Sequence, residues 1–172
     1  MLLPILTHPD PRLKTVCKPV EGVTDELRTL VNDMFETMYA APGVGLAAPQ
    51  VGHFIRLLVM DPRGPEDPKR PRVLINPELE LSGEEIISQN EGCLSVPMEY
   101  RANVKRKSHV HLKARDLDWN LIDEELDGFA AIVVQHEADH LDGILFIDRI
   151  SRLTRSFFDA RLKKWLMKQK KG

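Results

Sequence analysis

The sequence predicts an α+β fold. Three stretches, at about 24–42, 127–143 and 151–171, show apolar residues at helical spacing or a long apolar run that lacks Pro and Gly. Short apolar runs and one alternating stretch between the first two are typical of strands. A chain of 172 residues with 42% hydrophobic residues suits one domain with a real core. We therefore expect a main domain over 1–150, with the basic helix at 151–172 as part of that same domain.

The individual elements follow from local signals. Thr24 can cap the first helix, and Pro42-Gly43 stops it. Small residues over Gly43–Gln50 predict a tight connection, and Pro62–Pro71 is rich in proline and charge, which predicts an exposed loop. Strands are predicted, in chain order, at 55–60, 73–75, 84–88, 104–114 and 121–126. A turn at Ser82-Gly83 is expected between the second and third of these.

The stretch 104–114 predicts a half-buried antiparallel strand. Its apolar residues Val104, Val110, Leu112 and Ala114 share one parity. His109 and His111 have the other parity, so we expect both to face solvent rather than a metal.

Composition excludes several functional classes. A net charge of −2 argues against a general nucleic-acid-binding surface, so no specific DNA partner is expected. No apolar stretch approaches membrane-spanning length, and the N-terminus lacks the features of a signal peptide. Two cysteines, Cys17 and Cys93, fit a reducing compartment if Cys93 binds metal. We expect a cytoplasmic monomer.

The chemical centre is predicted at His136-Glu137-x-x-His140, which follows an apolar run directly. Residues four apart on a helix share a face, so the two imidazoles can bind one metal ion. Glu137 is placed to take a proton from water that the metal activates. The alternative is an ordinary helix with two solvated histidines. That alternative fits poorly with polar residues emerging from such an apolar segment.

A catalytic site of this type needs a third protein ligand. In the similar zinc-protease pattern H-E-x-x-H-x-x-G-x-x-H, the third His would fall at Phe146, which cannot bind metal. Downstream, Asp148 and Asp159 offer carboxylates. Upstream, Cys93 offers a thiol next to a glycine, which is a better ligand for zinc or ferrous iron, so we favour Cys93.

Three motifs together are specific: GVGLAAPQ at 43–50, EGCLS at 91–95 and QHEADH at 135–140. They resemble, in the same order, the three signature motifs of bacterial-type peptide deformylases, and the resemblance runs to about Asp148. It implies an α+β fold with antiparallel sheets packed around a central metal-binding helix and with a C-terminal helix. It also implies a catalytic domain at 1–150. The implied reaction is removal of the N-formyl group from the initiator methionine of new proteins, with release of formate.

The resemblance also implies roles for particular residues. The metal ligands would be Cys93, His136 and His140, and the general base and acid would be Glu137. The formyl oxygen would be held by Gln50 and the backbone N–H of Leu94. The methionine pocket would be lined by Val44, Phe129, Ile132 and Val133. Gly45 would pair with the substrate backbone, and Glu91 and Arg101 would organise the site or the substrate.

By the same resemblance, the cofactor is one divalent metal ion. Fe(II) is expected physiologically, and zinc, nickel or cobalt can occupy the site in a preparation. The partners are N-formylmethionyl peptides of nascent chains and, through the basic C-terminal helix, the ribosome. Two rival functions stay open on the residues alone. One is an endopeptidase with Asp148 or Asp159 as third ligand, and the other is a structural zinc module, which would need a fourth protein ligand.

Overall fold

A computed structural model describes residues 1–171, so Gly172, the last residue of the predicted C-terminal helix, lies outside the described chain. The strands form one antiparallel sheet in chain order, β1 (Gly45–Ala47), β2 (Leu57–Met60), β3 (Arg72–Glu91), β4 (Ala102–Arg115) and β5 (Leu121–Asp127). The helices are α1 (Asp25–Ala40), α2 (Gly128–Leu141) and α3 (Arg152–Lys171). The predicted α+β class is confirmed, with its strands joined in a single five-stranded sheet.

Strand β2 lies at the centre of the packing because a helix covers each face of the sheet there. Leu57 and Val59 belong to the cluster that contains the apolar face of α1. Leu58 and Met60 point the other way, into the cluster that contains α2. All four are 0% exposed, which explains why β2 is apolar at every position instead of alternating.

Helix α1 forms where its capping residue and apolar stripe predict it. The Thr24 side-chain oxygen accepts a hydrogen bond from the Leu27 N–H at 3.1 Å, which satisfies one of the free donors at the helix start. The buried face consists of Leu27, Leu30, Val31, Met34, Thr37 and Met38. This helix therefore closes one side of the sheet.

The predicted turn at Ser82-Gly83 is wrong. Strand β3 continues through it, and the pairing with β4 shifts register between Ser82 and Glu85. Gly83 has φ +80, and a Cβ there would lie 2.3 Å from Ser108 Oγ. The Ser108 hydroxyl instead accepts a hydrogen bond from the Glu84 N–H at 3.0 Å. A glycine with positive φ suits a β-bulge as well as a turn, and here it marks a bulge.

The predicted connection Gly43–Gln50 contains more structure than expected. It includes β1 and a 3-10 turn at Ala48–Val51. Strand β1 pairs with β2 and is the first strand of the sheet, so its other side forms the sheet edge. The small side chains let this edge approach α2 closely.

Helix α3 packs against the rest of the chain through one face. Phe158 and Leu162 are buried in a third apolar cluster with the segment Leu145–Ile147 and with Val104 of β4. The Arg155 guanidinium adds hydrogen bonds to the Ile147 carbonyl oxygen at 3.0 Å and to Asp148 at 2.8 Å. None of the helices within residues 1–171 combines the length and apolar character needed to cross a membrane.

Candidate metal centre and active site

Helix α2 carries the H-E-x-x-H residues from the core to the site. Its first turns are apolar, and Ala131 and Val134 are 0% exposed beneath the sheet. Asp127 occupies the N-cap position, but its side chain makes no capping hydrogen bond. At the other end, Gly143 adopts φ +75 and donates to the His140 carbonyl oxygen at 3.1 Å, while the next N–H bonds the Asp139 carbonyl oxygen. This Schellman pattern confirms the predicted helix end near Gly143.

The structure brings Cys93, His136 and His140 together. One ligand atom from each lies within 4.8 Å of the others, and Cys93 Sγ is 3.4 Å from His140 Nε2. Metal–sulfur and metal–nitrogen bonds of about 2.3 and 2.1 Å in a tetrahedral site separate ligand atoms by about 3.5 Å, so this cluster fits one ion. Within residues 1–171 it is the group of three metal-binding side chains that meets these limits.

The two alternative ligands lie elsewhere. Asp148 and Asp159 both bind the Arg155 guanidinium, at 2.8 and 2.9 Å respectively. Neither joins the Cys93 cluster. The arrangement thus favours a thiolate over a carboxylate as the third ligand.

His136 is held in place by a chain of buried charges. Its Nδ1 lies 2.8 Å from Glu91 Oε1, which leaves Nε2 to face the cluster. Arg106 binds both Glu91 oxygens, at 2.8 and 2.7 Å, and also Asp139 at 2.9 Å. The Arg106 side chain is only 2% exposed. Burial alone would raise the Glu91 pKa, but the hydrogen bonds from Arg106 and His136 outweigh it and lower that pKa to about 2.

Arg106 was missed by the sequence analysis, although a signal existed. The residue has the same parity in β4 as Val104 and Val110, which are buried. A charged residue on the apolar parity of a strand indicates a buried ionic partner. His109 and His111, by contrast, lie on the partly exposed parity as predicted, paired with the acidic residues of β5.

Glu137 is buried beside the cluster. Its Oε1 lies 3.6 Å from His136 Nε2, and its Oε2 is buried without a hydrogen-bond partner among the described residues. Burial raises the Glu137 pKa to about 7. Such a carboxyl group can exchange protons near neutral pH, and its unpaired oxygen suits a small polar ligand or water.

Gln50 holds its amide group in one orientation. Its Oε1 accepts a hydrogen bond from the Ala47 N–H at 2.9 Å, which turns Nε2 toward the cluster. Nε2 donates to Ser95 Oγ at 3.1 Å and lies 3.5 Å from Cys93 Sγ. Leu94 lies between Cys93 and Ser95 in sequence, so its backbone N–H belongs to the same short segment as the ligand Cys93. The Gln50 amide is therefore close to the predicted ligand Cys93.

The residues predicted to contact the substrate differ in their exposure to solvent. Gly45 is against Glu137, because a Cβ at Gly45 would be 2.6 Å from Glu137 Cγ. Val44 and Phe129 are 38% and 51% exposed, Ile132 is half-buried, and Val133, at 5%, belongs to the core beneath α2.

Two further predicted residues flank the thiol. Arg101 is exposed, with its guanidinium against Gly92 and its Nη1 donating to the Asn90 carbonyl oxygen at 3.2 Å. Glu91 is 9% exposed, and both its oxygens are bound within the protein. Glu91 thus orients His136, whereas Arg101 lies at the rim.

Comparison with known proteins shows the family of the chain. The model of a family described as "Polypeptide deformylase" matches residues 2–156, a range that contains every residue predicted to take part in metal binding, catalysis or substrate binding. The chain belongs to the polypeptide deformylase family. A peptide deformylase of Zymomonas mobilis is 52% identical over 174 residues, covering 99% of this chain and 96% of that protein.

Solved structures of the family have the same fold. A crystal structure of a peptide deformylase from Legionella pneumophila matches with a TM-score of 0.88 at 42% identity, covering 100% of this chain and 99% of that one. A Met-Ala-Ser-bound crystal structure of a class I type b peptide deformylase from Acinetobacter baumannii matches with a TM-score of 0.82 at 38% identity, covering 87% and 99%.

Membership in the family establishes the activity. Deformylases are hydrolases that remove the N-formyl group from nascent peptides, and the chain is an enzyme of this class. The family is one of metalloenzymes, and the Cys-His-His cluster is able to bind a metal ion.

Proposed function

We propose that deformylation takes place at the cluster of Cys93, His136 and His140, with Glu137 as the proton carrier. The observation that carries this proposal is the meeting of three metal-binding side chains beside a buried carboxyl group with one unpaired oxygen. Three ligands from the protein leave room for water or substrate, as a catalytic site requires. A structural site would need a fourth protein ligand.

The donor set of one thiolate and two imidazoles suits ferrous iron, zinc, nickel or cobalt. We propose Fe(II) as the physiological ion, on the resemblance of the three motifs. When bound, the ion would supply Lewis acidity that makes a water molecule nucleophilic near neutral pH. Glu91 and Arg106 would keep His136 in the tautomer and orientation that bind metal.

Glu137 moves the proton that the reaction requires. The oxygen of the attacking water forms a bond to the formyl carbon, and the Glu137 carboxylate receives a proton from that water. As the bond between the formyl carbon and the methionine nitrogen breaks, Glu137 gives this proton to the nitrogen. The products are formate and a free α-amino group.

Gln50 and Leu94 stabilise the charge that develops on the formyl oxygen. The Gln50 amide is held by its bonds to Ala47 and Ser95, so its Nε2 is kept beside the cluster, where preorganised donors are most effective. The backbone N–H of Leu94 supplies the second donor. Loss of one such donor typically lowers kcat by about a hundredfold or more.

The substrate would lie along the edge of β1. Gly45 would pair with the peptide backbone, as in other cases where an extended peptide adds a strand to a sheet. Val44, Phe129, Ile132 and Val133 would line the methionine pocket. Arg101, at the rim, would contact the peptide beyond the methionine.

We further propose that the enzyme is a bacterial cytoplasmic monomer that acts on chains leaving the ribosome. The exposed side of α3 supports a docking role because Leu153, Phe157 and Met167 are more than half exposed and the helix ends in lysines. Phe158 and Leu162 join α3 to the core, which supports one domain over 1–172 rather than two.

The direct test is release of formate from formyl-Met-Ala-Ser by protein loaded anaerobically with ferrous iron. Cys93→Ala is compared with Cys17→Ala, since Cys17 is the other free thiol, is buried, and does not belong to the group of metal-binding side chains. Cleavage of an internal peptide bond is measured on the same samples.

We expect formate release by the wild type and by Cys17→Ala. Cys93→Ala should lose both its metal and the activity. Metal retained in Cys93→Ala together with internal cleavage would instead support an endopeptidase. Metal held tightly without either activity would support a structural module.

A further inference from the structure

Strand β5 is strongly acidic and is held on one side only. Four of its seven residues are acidic and none is basic. It is the last strand of the sheet, and within residues 1–171 its only strand partner is β4. Carboxylates that lie side by side on one face repel each other, so the position of β5 depends on the cations that β4 supplies.

Three of these carboxylates lie on the outward face of the sheet, which also carries His109 and His111 of β4. They alternate along β5 and are Asp123, Glu125 and Asp127. In the antiparallel register, Glu125 lies opposite His111, and Asp127 lies opposite His109. Side chains at opposite positions of neighbouring strands are close enough to interact.

His111 is held between two of the carboxylates. Its Nε2 lies 2.6 Å from Asp123 Oδ1, and its Nδ1 lies 3.2 Å from Glu125 Oε1. An imidazole donates hydrogen bonds from both nitrogens only when it is protonated. The hydrogen bond to Asp123 raises the His111 pKa above its usual value, and the charges of Glu125 and Asp123 add to the rise, while burial and the charge of Lys113 oppose it.

The surroundings of His111 are mostly negative. The residues opposite, diagonal or next to it on this face are Glu78, Glu80 and Ser82 on β3, His109 and Lys113 on β4, and Asp123, Glu125 and Asp127 on β5. Five of them are carboxylates, and Lys113 is the one permanent cation. The next cations along β4, Lys107 and Arg115, are four residues away from His111, which is about 13 Å on a strand and beyond the range of unscreened attraction.

The position of β5 also affects the start of α2. Strand β5 ends at Asp127, and α2 begins at Gly128 without an intervening loop. The Asp127 side chain makes no capping hydrogen bond, so it does not fasten the helix start by itself. On the inner face of β5, Ile122 and Leu126 are only partly buried against the cluster that contains α2. A movement of β5 away from β4 would therefore extend into the first turn of α2.

We propose that His111 is a pH-sensitive ion-pairing residue that holds β5 against β4. Protonated His111 pairs with Asp123 and Glu125. Neutral His111 leaves these two carboxylates beside Glu80 and Asp127 without that cation, so β5 and the first turn of α2 open more often. Because pairing raises the His111 pKa, its stabilising effect is complete below about pH 6.5 and is lost as the pH rises through the raised value.

The effect is modest because the groups are accessible to solvent. The His111 side chain is 34% exposed, and that of Asp123 is 49% exposed. Ion pairs of this kind change an equilibrium by a small factor, so we expect local opening to increase about threefold from about pH 6 to about pH 9. High salt should reduce this increase.

The test is backbone hydrogen exchange of the metal-loaded enzyme at these two pH values, with rates corrected for the intrinsic effect of pH on exchange. Mass spectrometry follows peptides that cover 121–132, and a peptide from α1 serves as the internal reference. His111→Gln removes the titrating group, and His111→Lys keeps a positive charge at both pH values. His53→Gln is the matched control, because His53 is exposed and lies in the segment before β2.

We expect exchange in 121–132 to increase about threefold with pH in the wild type and in His53→Gln. It should be fast at both pH values in His111→Gln and slow at both in His111→Lys. A wild type without an increase, or an increase of the same size in His111→Gln, would overturn the proposal. An equal increase in the α1 peptide would also overturn it, since the opening would then involve the whole chain.

Discussion

Replacing Arg106 with methionine tests the buried charge chain behind His136. Arg106 supplies three hydrogen bonds, two to Glu91 and one to Asp139. Asp139 would keep its bonds to Arg149 at 2.6 and 2.8 Å. Glu91, which is 9% exposed, would keep His136 as its remaining partner. The substitution thus leaves one buried carboxylate without its cation.

The magnitude follows from that uncompensated charge. Breaking a buried ion pair by removing one partner lowers the free energy of unfolding by about 3–5 kcal/mol. The fall of the Glu91 pKa from 4.5 to about 2 corresponds to about 3 kcal/mol, which is consistent with this range. Loss of a group that orients a metal-binding histidine also weakens metal affinity by about tenfold to a hundredfold.

Urea unfolding in the presence of a chelator measures the first effect, and competition with a metal indicator measures the second. The double variant Arg106→Met/Glu91→Leu separates the two. It removes the unpaired charge, so it should be more stable than Arg106→Met alone. It also leaves His136 without its partner, so its metal affinity should stay low.

Two results would refute this reasoning. Arg106→Met could unfold at the same urea concentration as the wild type, with equal metal affinity. Alternatively, the double variant could prove no more stable than Arg106→Met. The first result would mean that the buried charges act neither on stability nor on His136. The second would mean that the unpaired Glu91 charge is not what destabilises Arg106→Met.

Three further predictions concern other parts of the molecule. Gly45→Ala places a Cβ 2.6 Å from Glu137 Cγ, so formate release should fall by at least tenfold, whereas Gly22→Ala, where a Cβ meets nothing within 4 Å, should be neutral. Thr24→Ala removes the α1 cap and should lower the free energy of unfolding by about 1 kcal/mol, measured by urea unfolding. Burial, aided by the Arg155 charge, lowers the His8 pKa, so the unfolded state binds more protons below pH 6.5 or so. Acidification from about pH 7 to 5 should therefore destabilise the wild type more than His8→Asn.

Much of the fold could be predicted from the sequence because local residue patterns indicate which positions are buried. The Thr24 cap indicates where α1 begins, and the α1 stripe and the parity of β4 indicate which side of each element faces the core. The bulge at Gly83 could not be told from a turn, since both require a glycine with positive φ and only pairing with β4 distinguishes them. The β1 strand was also missed, because its three residues are too few to show a period.

Only part of the candidate site could be predicted from the sequence. His136, Glu137 and His140 share one helix, so their spacing alone predicts a metal site. Cys93 is distant in sequence from these residues. The preference of zinc and ferrous iron for thiolate ligands favoured it, but only the folded structure could show that it lies beside the two histidines. The role of Arg106 could have been predicted from its position, because a charged residue on the apolar parity of a strand indicates a buried ionic partner. How deeply a pocket residue such as Val133 is buried depends on the packing of elements that are distant in sequence, and no local pattern predicts it.

The measurement that tests the central claim most directly is formate release by Glu137→Gln at matched metal content. Glutamine keeps the shape of the side chain but cannot accept and return the proton. We expect about one bound metal ion per chain in both proteins, with a rate at least about a hundredfold lower in Glu137→Gln. A variant that holds the metal and still releases formate at the wild-type rate would contradict it.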